Sequence, residues 1–155
     1  MNKLLRLNLI LLSLALLIFT PACKKSKTDE EVITAFIAKK GWTAQSTPEG
    51  VYYVIDTLGT GTAYPTGESY PYTKYKGYLA DETVFDSGTL NIPNDARTQV
   101  KLKNLIIGWQ IGMAKFKKGG KGKLLIPSAY GYGSTSQPGI PANSVTIFDI
   151  ELLNF

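Results

Sequence analysis

The chain has 155 residues, of which 44% are hydrophobic and 11% aromatic, and its formal net charge is +5. This length suits one domain together with a targeting segment, and the composition excludes a wholly disordered chain. The sequence contains no histidine, which removes the commonest general base, the usual partner of a nucleophilic serine or cysteine, and the leading zinc ligand. We therefore expect no metal site and no Ser-His or Cys-His nucleophile.

The first 22 residues have the features of a bacterial export signal. Lys3 and Arg6 form a positively charged start, and residues 7–19 are a run of 13 residues with only two polar exceptions. A permanent transmembrane helix needs about 20 apolar residues, so this run is short for one. We predict that residues 1–22 are a signal peptide.

Cys23 is the only cysteine and follows the apolar run after the small residue Ala22. This ending resembles a lipoprotein signal, in which the cysteine is lipidated and becomes the new N-terminus, although Pro21 departs from the strict pattern. An ordinary secretory signal followed by an incidental cysteine is the alternative. A lone cysteine cannot form an internal disulfide, which agrees with a lipid role. The expectation is a lipid anchor at Cys23 in the bacterial cell envelope, facing the periplasm or the cell surface.

The positive charge is partly a property of the signal. Loss of residues 1–22 removes two basic residues and no acidic one, so the formal charge falls from +5 to +3. The remaining basic residues form no dense stripe interleaved with aromatic residues. We therefore do not expect nucleic-acid binding.

The region before the domain is predicted to be a polar tether over residues 23–47. Apolar residues recur at helical spacing from 29 to 40, and Gly41 ends this short helix. The sequence leaves open whether the helix docks on the domain or lies loose.

From residue 48 to 155 the pattern is mainly that of strands separated by turns. The spacing predicts strands at 51–55, 70–79, 83–86, 121–126 and 145–153. A helix is predicted over 104–116, because Leu105, Trp109, Met113 and Phe116 recur on one face. This helix is the only well-supported element available to cover the apolar face of an antiparallel sheet, so we predict an α+β domain in which the sheet wraps around one short helix.

Seven motifs in this region resemble, in order, those of the FKBP family of peptidyl-prolyl cis/trans isomerases, here in a short bacterial lipoprotein form. They are YKGYL at 75–79, VFDS at 84–87, LIIGW at 105–109, GK at 120–121 with LIP at 125–127, YGYG at 130–133, GIPAN at 139–143 and FDIELL at 148–153. The resemblance implies a half-open antiparallel sheet curled around a short helix, with a pocket between them.

The resemblance also implies roles for single residues of the pocket. Trp109 would be its floor, the backbone N–H of Ile106 and the hydroxyl of Tyr132 would donate to substrate carbonyls, and Asp86 would lie at its edge. The implied walls are the aromatic residues Tyr75, Phe85 and Phe148 and the aliphatic residues Leu105, Ile106 and Ile140.

Two positions depart from the family pattern. Val100 lies near a position where the family often has phenylalanine, so one aromatic wall of the substrate-binding pocket is expected to be missing. Gln137 stands where many members carry histidine. Arg97 is the only basic residue of the loop 87–99, and the sequence does not say whether it pairs with Asp86.

These residue types suit the isomerisation of proline imides. Rotation about the bond meets a barrier of about 18–20 kcal/mol because resonance gives it double-bond character. An apolar pocket disfavours the planar, charge-separated amide, and binding the twisted state better than the planar state is catalysis. This chemistry needs no nucleophile and no cofactor, so the absence of histidine is no obstacle.

The sequence leaves alternatives open for the roles of single residues and for the function of the chain. Trp109, Phe148 and Ile106 taken one by one are more often plain core than pocket. Asp86 has the pattern of a turn former. The leading function is a monomeric isomerase, or rotamase, that assists the folding of exported proteins by acting on unfolded or flexible proline-containing polypeptides. A non-catalytic peptide-binding or chaperone module with the same fold is the alternative, and a purely structural envelope lipoprotein is a third.

Overall fold

The computed structural model describes residues 26–155, which form one six-stranded antiparallel sheet and two helices. In chain order the elements are α1 (Asp29–Lys40), β1 (Gln45–Ser46), β2 (Tyr52–Thr57), β3 (Tyr72–Leu79), β4 (Val84–Leu90), α2 (Ile107–Met113), β5 (Gly120–Ile126) and β6 (Thr146–Asn154). One-turn 3-10 helices lie at Ala96–Thr98, Leu102–Asn104 and Ser128–Tyr130. The strand order is β1-β2-β5-β6-β3-β4, and the predicted α+β fold class is confirmed.

The predicted signal peptide at 1–22 and the predicted lipidation site Cys23 lie outside the described residues. Within residues 26–155, neither helix is long and apolar enough to cross a membrane.

The main core lies between α2 and one face of the central strands. Phe148, Ile150 and Leu152 alternate along β6 and face this core, as the pattern of the last strand predicts. The helix approaches the sheet closely because it carries glycine at the contact. A Cβ atom on Gly108 would lie 2.3 Å from Ile126, and one on Gly112 would lie 2.4 Å from Leu124.

The observed helix α2 is shorter than the predicted helix over 104–116. A 3-10 turn ends at Asn104, and Leu105 has an extended backbone with ψ 168°, so the α-helix begins only at Ile107. Phe116 is fully buried but lies in the turn after the helix, where its N–H donates to the carbonyl of Met113 at 3.1 Å. The prediction was wrong at both ends because side chains of flanking turns share the apolar face of the helix.

Helix α1 packs on the opposite face of the sheet. Ile33 is 0% exposed and Phe36 is 3% exposed, and they pack with strand residues that point away from α2, namely Val54, Tyr78, Leu125 and Ile147. The helix begins with a capping box at Thr28 and ends at Gly41, whose φ of 65° is left-handed. Of the two alternatives that the sequence left open, the helix is docked.

Strand β4 extends beyond the predicted return segment at 83–86. It continues through Ser87 and Gly88 to Leu90, and Asp86 lies opposite Gly77 in the ladder with β3. The alternative in which Asp86 forms a turn is therefore wrong. Two further residues, Gln45–Ser46, form the short edge strand β1 inside the segment that was predicted to be tether.

The docking of α1 makes a prediction about stability. Replacement Ile33→Ala should lower the free energy of unfolding by about 2–5 kcal/mol, because it opens a cavity under the helix. The matched control is Thr34→Ala on the exposed side of the same helix, which should change the free energy by less than about 0.5 kcal/mol. Urea unfolding of the purified protein measures both. Equal, small effects of the two variants would contradict a docked helix.

Candidate functional site

Four aromatic side chains meet at one end of the main core, and we call them the aromatic cluster: Tyr75, Phe85, Trp109 and Phe148. The ring of Trp109 meets those of Tyr75 and Phe148 edge to face, with centroids 5.7 and 5.4 Å apart. Phe85 meets Phe148 in the same way at 5.6 Å. Trp109 and Phe148 are 4% and 3% exposed, whereas Tyr75 and Phe85 are half-buried. The cluster therefore has a buried floor and a more open rim.

The backbone before α2 places Trp109 in this cluster. Ile106 is the N-cap residue, and its carbonyl accepts from the N–H of Trp109 at 2.9 Å. No acceptor among residues 26–155 pairs with the N–H of Ile106 itself. Leu105 and Ile106 are half-buried and pack against the same core as the aromatic cluster. The helix start thus offers a free donor beside apolar walls.

Strand β3 makes room for the cluster through Gly77. A Cβ atom at this position would lie 2.5 Å from the ring of Phe85 and 2.9 Å from the ring of Phe148. Gly77 lies in the YKGYL motif, but the sequence alone assigned it no role. Only the packing of two rings across β3 reveals what it does.

This packing makes a prediction about Gly77→Ala. The added methyl group must displace the rings, so the free energy of unfolding should fall by about 1–3 kcal/mol. Gly67→Ala is the matched control, because its Cβ would lie 3.4 Å from Lys103, an ordinary contact. The control should change the free energy by less than about 1 kcal/mol in either direction. Urea unfolding measures the free energy of both variants. A Gly77→Ala protein as stable as the control would refute the packing of the two rings across β3.

Asp86 lies at the rim and is held by Tyr75. The Tyr75 hydroxyl donates to Oδ2 of Asp86 at 2.8 Å, between neighbouring strands β3 and β4. Burial raises the pKa of Tyr75 to about 12, and the hydrogen bond and charge of Asp86 add to the effect. The phenol therefore stays protonated and keeps donating at neutral pH. Arg97 does not pair with Asp86, since its guanidinium binds both carboxylate oxygens of Asp95 at 3.0 Å.

Tyr132 lies near the same carboxylate, on the loop after β5. Burial raises its pKa, followed in size by the charge of Asp86. No hydrogen-bond partner for its hydroxyl is found in the described part of the chain, so this donor is also free. The rest of the loop passes close to the cluster, because a Cβ atom added to Gly139 would lie 3.1 Å from Cβ of Phe85. The next residue, Ile140, is 4% exposed.

Val100 is held through its backbone by the side chain of Asn91. Its N–H donates to Oδ1 of Asn91 at 2.6 Å, and its carbonyl accepts from Nδ2 of Asn91 at 3.0 Å. The side chain is half-exposed and is not among those packed against the aromatic cluster. By contrast, Tyr130 does pack there, although the sequence gave it no role of its own.

The arrangement has the chemistry of a binding hollow rather than of a nucleophile. Apolar rings and aliphatic walls suit a compact uncharged group, and two free donors suit its carbonyl oxygens. No group of three or more potential metal ligands occurs in residues 26–155. A cleft of about 510 Å³ lies between the first turn of α1 and the loop before β2, but it is lined mainly by polar residues and prolines. We therefore assign the candidate site to the aromatic cluster.

Comparison with known proteins agrees with this architecture. The sequence pattern of the family described as FKBP-type peptidyl-prolyl cis-trans isomerase matches residues 64–153. The FKBP-type peptidyl-prolyl cis-trans isomerase FkpA of Buchnera aphidicola subsp. Schizaphis graminum is 45% identical over 108 residues, which are 70% of this chain and 42% of that protein. FkpA of Escherichia coli (strain K12) is 38% identical over 119 residues, which are 77% of this chain and 42% of that protein. The chain thus spans less than half the length of these curated relatives.

Solved structures share the fold. The crystal structure of FkpA from Escherichia coli superposes with a TM-score of 0.68 at 34% identity, over 81% of this chain and 56% of that chain. A peptidyl-prolyl cis-trans isomerase from Pseudomonas syringae superposes with a TM-score of 0.64 at 25% identity, over 83% of this chain and 96% of that chain.

Proposed function

This chain belongs to the family of FKBP-type peptidyl-prolyl cis-trans isomerases, and we propose that it accelerates cis/trans isomerisation of X-Pro bonds in unfolded or flexible polypeptides. The observation that carries the proposal is the aromatic cluster with its buried Trp109. Beside it lie two donors that have no acceptor among residues 26–155, the N–H of Ile106 and the hydroxyl of Tyr132.

The physical argument begins with the proline imide. Its two isomers differ by only about 0.5–1 kcal/mol, yet they exchange over tens of seconds or longer. Resonance that stabilises the planar bond separates charge, and water favours that separation more than an apolar hollow does. The twisted state has lost resonance and gains relative to the planar state in the hollow, so the barrier falls.

Each site residue has a role in this proposal. Trp109 and Phe148 form the buried floor against which the proline ring packs, while Tyr75, Phe85, Leu105 and Ile140 supply walls. The N–H of Ile106 and the hydroxyl of Tyr132 donate to substrate carbonyls and fix the twisted geometry. Asp86 is held at the rim by the Tyr75 hydroxyl at 2.8 Å. Val100 contributes least, since its side chain is not among those packed against the core that holds the aromatic cluster.

An exchange-NMR or protease-coupled assay on short X-Pro peptides tests this function. The purified protein should accelerate isomerisation, and Tyr132→Phe and Asp86→Ala should each lower kcat/KM by about fivefold to tenfold, the factor expected for a lost hydrogen bond or charge contact. Ser87→Ala is the matched control, because this exposed neighbour of Asp86 lies on the same strand. The control should retain the full rate.

The same assay distinguishes an isomerase from a non-catalytic binding module. If the folded protein leaves the isomerisation rate at its uncatalysed value but still binds proline-containing peptides, the chain is a non-catalytic peptide-binding module. The chain has a second tryptophan, Trp42, which packs against Phe36. In a Trp42→Phe background, Trp109 fluorescence reports both folding and occupation of the hollow, so an unfolded sample is not mistaken for an inactive one. If Trp109→Ala binds unfolded chains as tightly as the unmodified protein does, these chains bind elsewhere on the surface.

We further propose that the protein acts at the bacterial cell envelope as a lipid-anchored monomer that assists the folding of exported proteins. The support is the export-type sequence at 1–22 followed by Cys23, together with the slow proline step that limits the folding of many chains. The tether is short, since α1 begins at Asp29. The domain would therefore be held close to the membrane.

Replacement of Cys23 tests the anchor. Cys23→Ser should move the protein from the membrane fraction to the soluble fraction, because the serine hydroxyl is not a substrate for thioether lipidation. Ser26→Ala, on the same tether, is the control and should remain with the membrane. Fractionation locates each variant, and mass spectrometry of the mature N-terminus shows whether residue 23 is lipidated. Unchanged membrane association of a Cys23→Ser protein that mass spectrometry shows to lack residues 1–22 would refute the lipid anchor.

A further inference from the structure

Asp29 makes a contact that the capping of its own helix does not require. The N–H of Glu31 donates to Oγ1 of Thr28 at 3.2 Å, and the N–H of Thr28 donates to Oε2 of Glu31 at 2.7 Å. This capping box satisfies the start of α1 without Asp29. Oδ2 of Asp29 instead accepts two hydrogen bonds from Ser128, one from its N–H and one from its hydroxyl, both at 2.7 Å.

Ser128 needs an acceptor from elsewhere in the fold. It is the first residue of the 3-10 helix Ser128–Tyr130, and the residue before it is Pro127, whose side chain provides no cap. A helix start leaves N–H groups without partners unless a side chain accepts from them. Asp29 therefore caps this turn from the other end of the chain, across 99 positions of sequence.

The turn that Asp29 caps fixes the backbone on both sides of Tyr132. The carbonyl of Ser128 accepts from the N–H of Gly131 at 3.0 Å and from the N–H of Gly133 at 2.8 Å. The carbonyl of Gly133 in turn accepts from the N–H of Asn143 at 2.8 Å. A continuous set of hydrogen bonds therefore runs from Asp29 through Ser128 to the loop that carries Tyr132 and Ile140.

Helix α1 is packed on the sheet, which fixes the contact between Asp29 and Ser128. Ile33 and Phe36 lie one and two turns further along the helix and are buried against the sheet at 0% and 3% exposure. Because the helix is fixed to the sheet, its first carboxylate has a defined position relative to β5 and the loop that follows.

We propose that Asp29 is a positioning residue for catalysis, which acts through Ser128 to hold the Tyr132 hydroxyl toward the bound substrate. This inference rests on the proposed function of the site. It places α1 within the functional unit rather than in a spacer to the membrane. The half-buried carboxylate of Asp29, with two short charge-assisted bonds, orients its partner more strictly than a neutral acceptor does.

The test is a double-mutant cycle between Asp29→Ala and Tyr132→Phe, made in the full chain purified in detergent and assayed on X-Pro peptides. Asp29→Ala should lower kcat/KM by about fivefold, the factor that one hydrogen bond of typical net strength corresponds to. In the Tyr132→Phe background the same change should have an effect of less than about twofold, because there is no hydroxyl left to position. Asp29→Asn keeps an acceptor oxygen and should retain more of the rate than Asp29→Ala.

Glu31→Ala is the matched control for loss of helix stability. It removes the other half of the capping box but leaves the contact with Ser128 in place, so it should lower the melting temperature while kcat/KM stays within about twofold. All rates are compared well below the lowest melting temperature. An equal effect of Asp29→Ala with and without the Tyr132 hydroxyl, or an equal effect of Glu31→Ala, would overturn the proposal.

Amide hydrogen exchange keeps this inference distinct from the proposed function. In Asp29→Ala the amides of Gly131 and Gly133 should exchange about fivefold faster or more, while the amide of Ile150 in β6 stays unchanged. If the unmodified protein shows no isomerase activity, the proposed function fails, and the exchange result alone decides whether Asp29 holds the loop. Unchanged exchange at both glycines would refute the inference whatever the activity.

Discussion

The close approach of a short helix to a sheet is the constraint on which the rest of this structure depends. Helix α2 has only seven residues, Ile107–Met113, and two of them are glycines that touch Ile126 and Leu124. Any side chain at these positions would lift the helix from the sheet. The close packing brings the Trp109 ring against Tyr75 and Phe148, and it leaves the start of the helix with a donor that no other described residue uses. The site is therefore a consequence of how the core packs.

Both faces of the sheet are buried, and each packs against a different helix. The face toward α2 carries the aromatic cluster, whereas the opposite face receives Ile33 and Phe36 of α1. Burial on both sides restrains the central strands more than a single covered face would. The loops at the site end of the sheet thus extend from a rigid base. Their own order comes from backbone hydrogen bonds, such as those that Ser128 accepts from Gly131 and Gly133.

Four lysines are paired with two glutamates on the surface. Glu82 binds Lys39 and Lys40, and Glu68 binds Lys101 and Lys103; hydrogen bonds from the lysines lower the pKa of each carboxyl to about 2. These pairs are exposed to solvent and contribute little to stability. At the rim of the aromatic cluster, Asp86 pairs with a phenol instead of a cation. A neutral donor at this carboxylate keeps the site free of a competing positive charge while fixing the position of the carboxylate.

The sequence by itself determined the α+β class and five of the six strands, and the family resemblance supplied all four residues of the aromatic cluster. The strands could be predicted locally, because alternation along a segment such as β6 depends on that segment alone. The family resemblance, and with it the FKBP fold, was also available from the order of the motifs. The ends of α2, the continuation of β4 through Ser87 and Gly88, and the packing of α1 on the sheet were decided by the tertiary structure. The same holds for the side-chain position of Val100 and for the contact between Asp29 and Ser128. These features depend on which surfaces meet across long distances in sequence, and apolar spacing within one segment carries no information about its partner.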